Sequence, residues 1–257
     1  MASPYYIRSA AAGDTFRVLE DPPTSPSLLI HDPIKIVIVG DSGCGKTSLF
    51  SSYVRGSFPS AYEPTIFENH RAFVGNKNGS CLSADLWDTA GQEEYERLRR
   101  LSYQDANVVI IAYSVDAPES LPNITDVWAP EVLTYAPDAD IIMIALKSDC
   151  QHRVDPSIAR HVAENIGALA HIQCSSLKMY HVNEVFDAVF NIIINKEEER
   201  KNKLHSQINS QKLITDQNTQ SNSQSKRRSI VNSIRQNTQS NLNSTSKRKR
   251  SSKCVIL

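Results

Sequence analysis

Eight residues constrain this chain more than any others: Gly40-Asp41-Ser42-Gly43-Cys44-Gly45-Lys46-Thr47. They follow an apolar run at 34–39 that reads as a buried strand. They lead into Ser48 and an apolar-periodic stretch that reads as the first turns of a helix. A G-x-x-x-x-G-K-S/T loop between a strand and a helix has a direct physical reading. Its glycines let the backbone turn tightly enough to aim N–H groups at phosphate oxygens, and the helix N-terminus adds partial positive charge. Lys46 then reaches β- and γ-phosphates, the Thr47 hydroxyl holds Mg²⁺, and Ser48 completes the expected nucleotide-binding set. A glycine-rich turn before an ordinary helix is the bland alternative; the loop length and the Lys-Thr pair weigh against it.

Beyond the loop, strand-like and helix-like patterns alternate, which predicts an α/β domain with a mostly parallel six-stranded sheet flanked by helices. The expected strands are 34–39, 70–74, 81–87, 108–114, 141–146 and 171–174; the expected helices are 46–55, 119–134, 156–166 and 182–196. Residues 1–33 hold five prolines and little periodicity, and predict a disordered N-terminal extension before a folded domain at 34–198. From 199 to 257 the composition turns to Ser, Asn, Gln, Lys and Arg, which predicts a disordered basic tail.

Zero net charge conceals an asymmetry. Thirteen Lys and Arg face two acidic residues beyond residue 198, so the tail carries +11 and the rest of the chain −11. A basic arm on an acidic body points to an anionic surface. The five cysteines have no paired spacing and no signal peptide precedes them, which fits a reducing, cytosolic setting. No apolar run reaches the length of a membrane span, and Ala2 excludes N-myristoylation.

Three later motifs narrow the chemistry, each at the end of an apolar strand. In Asp88-Thr89-Ala90-Gly91-Gln92, Asp88 would bind Mg²⁺, the Gly91 N–H would sense a γ-phosphate, and Gln92 would orient an attacking water. In Leu146-Lys147-Ser148-Asp149, the Asp149 carboxylate can accept both guanine N1–H and N2–H, a pair adenine cannot offer. In Cys174-Ser175-Ser176, backbone N–H groups can reach guanine O6. Ligands of open α/β sheets bind at that edge. A kinase acting on a small molecule shares the phosphate loop but explains none of the other three motifs.

With these motifs the chain resembles a small GTPase of the Ras superfamily, and within it the Rho family, from about residue 34 to 196 and again in the last four residues. Rho-like wording fills 58–69 and 87–103 (WDTAGQEEYERLRRLSY). The resemblance implies that Phe58 packs against the base and that Thr65 joins Thr47 and Asp88 at Mg²⁺. It implies that Tyr62 joins Gln92 and Lys46 in the catalytic set, and that effectors read Phe67, Glu68 and Asn69. It further implies a GTP/GDP-operated, membrane-anchored switch, monomeric, served by Rho-type exchange factors, GTPase-activating proteins, dissociation inhibitors and effectors. The wording of LKSD and AHIQCS resembles a fungal Rho branch concerned with polarised growth, actin and cell-wall organisation, and cell separation.

Four features depart from the family pattern. Ser42 stands where most Rho proteins have Gly, in the space used by Gln92 and an incoming arginine; a hydrolysis-poor, GTP-loaded adaptor is the reading it motivates. Leu146 replaces an Asn or Thr, which removes a bracing hydrogen bond of ~1 kcal/mol. Ser176-Leu177 replaces Ala-Lys. Residues 150–154 are nearly the whole connection where Rho proteins carry a helical insert, so a partner that needs the insert should not bind.

Cys254-Val255-Ile256-Leu257 reads as a prenylation signal, its terminal Leu favouring geranylgeranyl transfer to Cys254. One lipid anchors marginally, and the preceding Lys247–Lys253 basic run would add roughly 1 kcal/mol per charge at an anionic leaflet. The expected location is the cytoplasmic face of the plasma membrane with a cytosolic pool. A nuclear localisation signal or a nucleic-acid arm competes for the basic run; no aromatics interleave with its charges, which argues against base stacking, and no nucleic-acid partner is expected.

Overall fold

The computed structural model describes the backbone of residues 5–7 together with residues 15–20, 33–60, 65–76, 81–206 and 232. The chain divides into two compact units, Met1–Asn195 and Lys196–Leu257. In the second, residues 196–206 are helical. Among the described residues, no helix is long and apolar enough to cross a membrane.

The first unit is built on one sheet. Its strands are β1 (Tyr5–Ile7), β2 (Phe16–Val18), β3 (Ile34–Gly40), β4 (Phe67–Asn76), β5 (Cys81–Thr89), β6 (Val108–Ser114), β7 (Asp140–Leu146) and β8 (Ala170–Gln173), in the order β1-β8-β7-β6-β3-β5-β4-β2. The five central strands run parallel, while β4 pairs antiparallel with β5. The helices are α1 (Lys46–Arg55), α2 (Glu96–Ser102), α3 (Ala129–Tyr135), α4 (Pro156–Asn165) and α5 (182–195). Both faces of the sheet are covered, so its strands are apolar on both sides. Ile34, Ile36 and Ile38 pack with Phe50 and Phe186 on one face. Val37 and Val39 pack with Trp128 and Val132 on the other. The six strands expected from the sequence form the body of this sheet, and the carboxyl ends of β3, β5, β7 and β8 deliver all four motifs to one edge.

Residues 199–206 are helical although they belong to the tail expected to be disordered, and within the first unit the structure differs from the sequence expectation in three places. Two short edge strands come from the segment expected to lack fixed structure. β1 pairs antiparallel with β8, and β2 with β4 in the register Phe16↔Asn76, Val18↔Val74. Phe16 is fully buried, its ring 5.2 Å from that of Phe190, and its N–H donates to Asp187 Oδ1 at 2.6 Å. Three-residue strands leave no readable periodicity, and the flanking prolines masked them. The second difference is α2, preceded by a 3₁₀ turn at Glu93–Tyr95, which is not among the expected helices.

The third is the helix expected at 119–134, which is composite. A 3₁₀ turn at Pro118–Ser120 and a π-helical turn at Ile124–Trp128 precede α3. Pro130 explains the π turn. It has no N–H to give Asp126, and its ring would crowd that carbonyl in a regular α-turn. The wider turn makes room, and the Ala129 N–H donates to Ile124 O instead.

Candidate nucleotide and metal site

Two glycines fix the shape of the phosphate loop. Gly40 ends β3 at φ 144°, and a Cβ there would sit 2.2 Å from Ala112 O. Gly91 presses on the loop from the other side; a Cβ on it would lie 2.3 Å from Ser42 N. Gly45 begins α1 in the left-handed region and offers no side-chain cap, so the first N–H groups of the helix are left for an anion. The buried Lys46 spans the loop, its Nζ donating to Gly40 O at 2.8 Å and Asp41 O at 2.9 Å. Asp41 directs its side chain away from the loop, accepting from Asn123 Nδ2 at 2.8 Å and Trp128 Nε1 at 2.7 Å.

A cavity of about 670 Å³ opens over this loop. Ser42, Gly43, Gly45, Lys46, Thr47 and Ser48 line its floor. Phe58, Thr65, Asp88, Gly91, Gln92 and Lys147 line its walls. Gly40, Asp41 and Cys44 do not; the buried Cys44 supports the loop from below, and burial raises its thiol pKa.

The metal candidates converge. Thr47 Oγ1 and Thr65 Oγ1 are 2.6 Å apart. Beside them Asp88 is 1% exposed, and neither of its carboxylate oxygens has a hydrogen-bond partner. Burial pushes its pKa up to about 6, with the neighbouring Thr47 hydroxyl and Lys46 ammonium opposing the shift. A buried, unpaired carboxylate is costly unless a cation completes it. Two hydroxyls and a carboxylate form an all-oxygen donor set suited to a hard ion such as Mg²⁺. Among the described residues there is no group of three His, Cys, Asp or Glu side chains placed to hold a metal ion.

Gly91 and Gln92 are held by a residue the sequence reading missed. Arg99 on α2 is almost fully buried, and its Nη1 donates to Ala90 O at 3.0 Å and Gln92 O at 3.2 Å. Its other nitrogens fork onto Glu131, at 2.7 Å to Oε1 and 2.9 Å to Oε2. An arginine in a charge-rich surface-helix pattern gives no sign of this in sequence.

At the base end, Lys147 adopts φ 58° and its Nζ lies 3.6 Å from Asp116 Oδ1. The Ser114 hydroxyl, with burial opposing and Lys147 assisting, lowers the Asp116 pKa. Asp149 does not line the cavity; it is exposed and accepts from the buried Ser175 Oγ at 2.5 Å. The N–H groups of Cys174 and Ser175 are already bonded, to Ala145 O and Tyr180 O, which narrows the expectation for this turn to the Ser176 N–H. Leu146 offers no bracing hydrogen bond; its buried side chain lies beside the phosphate loop, Cδ1 3.8 Å from where a Cβ on Gly45 would sit.

A model described as the Ras family matches residues 35–195. The chain is 46% identical over 167 residues to "GTP-binding protein RHO4" of Saccharomyces cerevisiae, covering 63% of this chain and 57% of that one. It is 41% identical over 183 residues to "GTP-binding protein RHO1" of Candida albicans, covering 66% of this chain and 92% of the relative. The chain is a Rho-type member of the Ras family. It spans 57%, 46% and 62% of the length of the first three curated relatives it matches, the third being "GTP-binding protein RHO4" of Eremothecium gossypii at 45% identity.

In this Rho-type chain the connection from Asp149 to α4 is short and fastened. The N–H groups of Arg153 and Val154 donate to Val115 O at 2.8 and 3.3 Å, and Asp155 caps α4 through Ser157 N. Of the expected effector residues, Phe67 is 39% exposed and packs edge-on against Trp87 at 5.2 Å. Glu68 and Asn69 are both exposed on β4, and Glu68 also lines the nucleotide cavity with His70, 3.0 Å away. Tyr62 and Cys254 lie outside the described residues.

Proposed function

We propose that this chain binds GTP and GDP, hydrolyses GTP, and signals by the difference between the two states. The observation that carries the reading is Asp88, buried without a hydrogen-bond partner beside the Thr47 and Thr65 hydroxyls, in the wall of a cavity that Lys46 and Gln92 also line. Thr47, Thr65 and Asp88 would hold Mg²⁺, which when bound supplies positive charge to the β- and γ-phosphate oxygens. The loop N–H groups and Lys46 cradle the phosphates. Gln92 orients the attacking water, and Asp149 selects guanine. With GTP bound, Thr65 and Gly91 are tied to the γ-phosphate end; hydrolysis frees both segments and withdraws the surface around Phe67 from partners. Exchange factors, GTPase-activating proteins, dissociation inhibitors and effectors of the Rho type complete the cycle, in polarised growth, actin or cell-wall organisation, or cell separation. Geranylgeranylation of Cys254 and the basic run before it anchor the chain to the anionic cytoplasmic face of the plasma membrane, with a cytosolic pool.

Single-turnover GTP hydrolysis by the full chain, with and without Mg²⁺ and a Rho-type activating protein, tests this. Mg²⁺-dependent hydrolysis stimulated by roughly 10³-fold or more is expected. Turnover that neither Mg²⁺ nor the activating protein alters contradicts it. A second reading, a hydrolysis-poor adaptor controlled by abundance or tail phosphorylation, is favoured by Ser42, which lines the cavity where Gly91 abuts its backbone. Under that reading Ser42→Gly restores stimulation that the wild type lacks.

A further inference from the structure

The π-helical turn before α3 has a consequence for the site. By widening the helix ahead of Pro130, it sets the Trp128 indole between two segments of the site. On one side, Trp128 Nε1 donates to Asp41 Oδ1 at 2.7 Å, and Asn123 Nδ2 secures the other oxygen at 2.8 Å, fastening the phosphate loop. On the other side, the Arg99 guanidinium lies 4.8 Å from the centre of the Trp128 ring. That guanidinium holds the carbonyls of Ala90 and Gln92, the residues on either side of Gly91. Glu131, steadied by Tyr103 Oη at 2.8 Å, fixes the guanidinium in its plane.

We propose that Trp128 and Arg99 are positioning residues for GTP hydrolysis, a relay that sets the Gln92 backbone by reference to the phosphate loop. This rests on the reading that Gln92 orients the attacking water. The Glu131 fork takes up Nε and Nη2 of the guanidinium and leaves Nη1 to the carbonyls flanking Gly91, so one side chain ties this segment to the helix that carries Trp128. Gly91 is pressed to the loop from its own side, and Arg99 holds the carbonyl on the far side of Gln92. The origin of the Gln92 side chain is therefore fixed from both directions. Displacement of such an origin by an ångström can cost on the order of 10²-fold in rate. The relay supplies none of the N–H groups or base contacts that bind nucleotide, and Asn123 still holds the Asp41 carboxylate when the Trp128 bond is lost, so nucleotide affinity should change little.

The test uses the full chain loaded with GTP and Mg²⁺. Single-turnover hydrolysis and GDP dissociation are measured for wild type, Arg99→Lys, Trp128→Phe, Gln92→Leu, and for Arg99→Lys and Trp128→Phe each combined with Gln92→Leu. Arg99→Lys keeps the charge and loses the fork; Trp128→Phe keeps the buried ring and loses the N–H, so it serves if Arg99→Lys does not fold. The expected result is hydrolysis slowed about tenfold in each of Arg99→Lys and Trp128→Phe, GDP dissociation within about twofold of wild type, and no further slowing in the Gln92→Leu background. Unchanged hydrolysis in Trp128→Phe, an equal slowing with Gln92→Leu already present, or a parallel loss of nucleotide affinity would overturn the relay. Wild-type hydrolysis by Gln92→Leu would instead overturn the role given to Gln92, and the relay with it.

Discussion

Truncating Phe16 to Ala should destabilise the first unit as a core mutation would, although the residue lies in a proline-flanked segment ahead of the phosphate loop. Its side chain is fully buried, and it packs on Phe190 with ring centres 5.2 Å apart. Phe→Ala at such a site costs about 3–5 kcal/mol, of which an aromatic pair supplies ~1. An edge strand sets a ceiling on that figure, because the loss cannot exceed the free energy with which β2 docks. That docking includes the ladder to β4, the Leu19 N–H to Phe73 O bond at 2.8 Å, and the Phe16 N–H to Asp187 bond. The expectation is a loss of about 3 kcal/mol, lowering Tm by roughly 6–12 °C for a domain of this size. Urea denaturation at fixed GDP and Mg²⁺ measures it, since bound ligand contributes to apparent stability. Deleting residues 1–20 should cost at least as much, because it removes the whole strand. A loss below about 0.5 kcal/mol in Phe16→Ala, typical of surface positions, would refute the claim that β2 belongs to the core.

Further outcomes follow from other residues. Asp88→Asn should raise the stability of nucleotide-free protein in EDTA by about 1–3 kcal/mol, by relieving an unpaired buried carboxylate, while abolishing stabilisation by Mg²⁺ with GDP; thermal melts under both conditions check the opposite signs. Gly91→Ala should weaken GDP binding by at least tenfold in fluorescence titration, because its Cβ would lie 2.3 Å from Ser42 N and the loop must move. Burial lowers the pKa of His171, beside Tyr113, to about 4. The unfolded chain therefore takes up this proton first on acidification, so the stabilisation is complete above about pH 6.5 and falls by about 3 kcal/mol towards pH 4. His171→Gln should flatten that slope in urea titrations.

The body of the fold was readable because both faces of the parallel strands are buried, giving apolar runs such as 108–114 that no surface segment shows. The phosphate loop, Asp88, Gly91 and Gln92 were readable because their chemistry demands fixed residue types at fixed spacing after a strand. Phe16, Trp128 and Arg99 were hidden for different reasons. Phe16 acts through tertiary burial, not through periodicity. Trp128 looks like one more apolar helix residue, and only the π turn imposed by Pro130 aims its indole at Asp41. Arg99 sits in a run of charges, and only the fold reveals that it alone of Arg97, Arg99 and Arg100 is buried.

The account stands or falls on guanine-selective, Mg²⁺-dependent nucleotide binding. Competition titration of the full chain with GDP and ADP, in Mg²⁺ and then in EDTA, measures both properties together. The account predicts rejection of ADP by about 10⁴-fold or more, as expected where a carboxylate pairs with two base N–H groups, and a marked loss of GDP affinity in EDTA. Comparable affinity for ADP, or GDP binding indifferent to Mg²⁺, would contradict it.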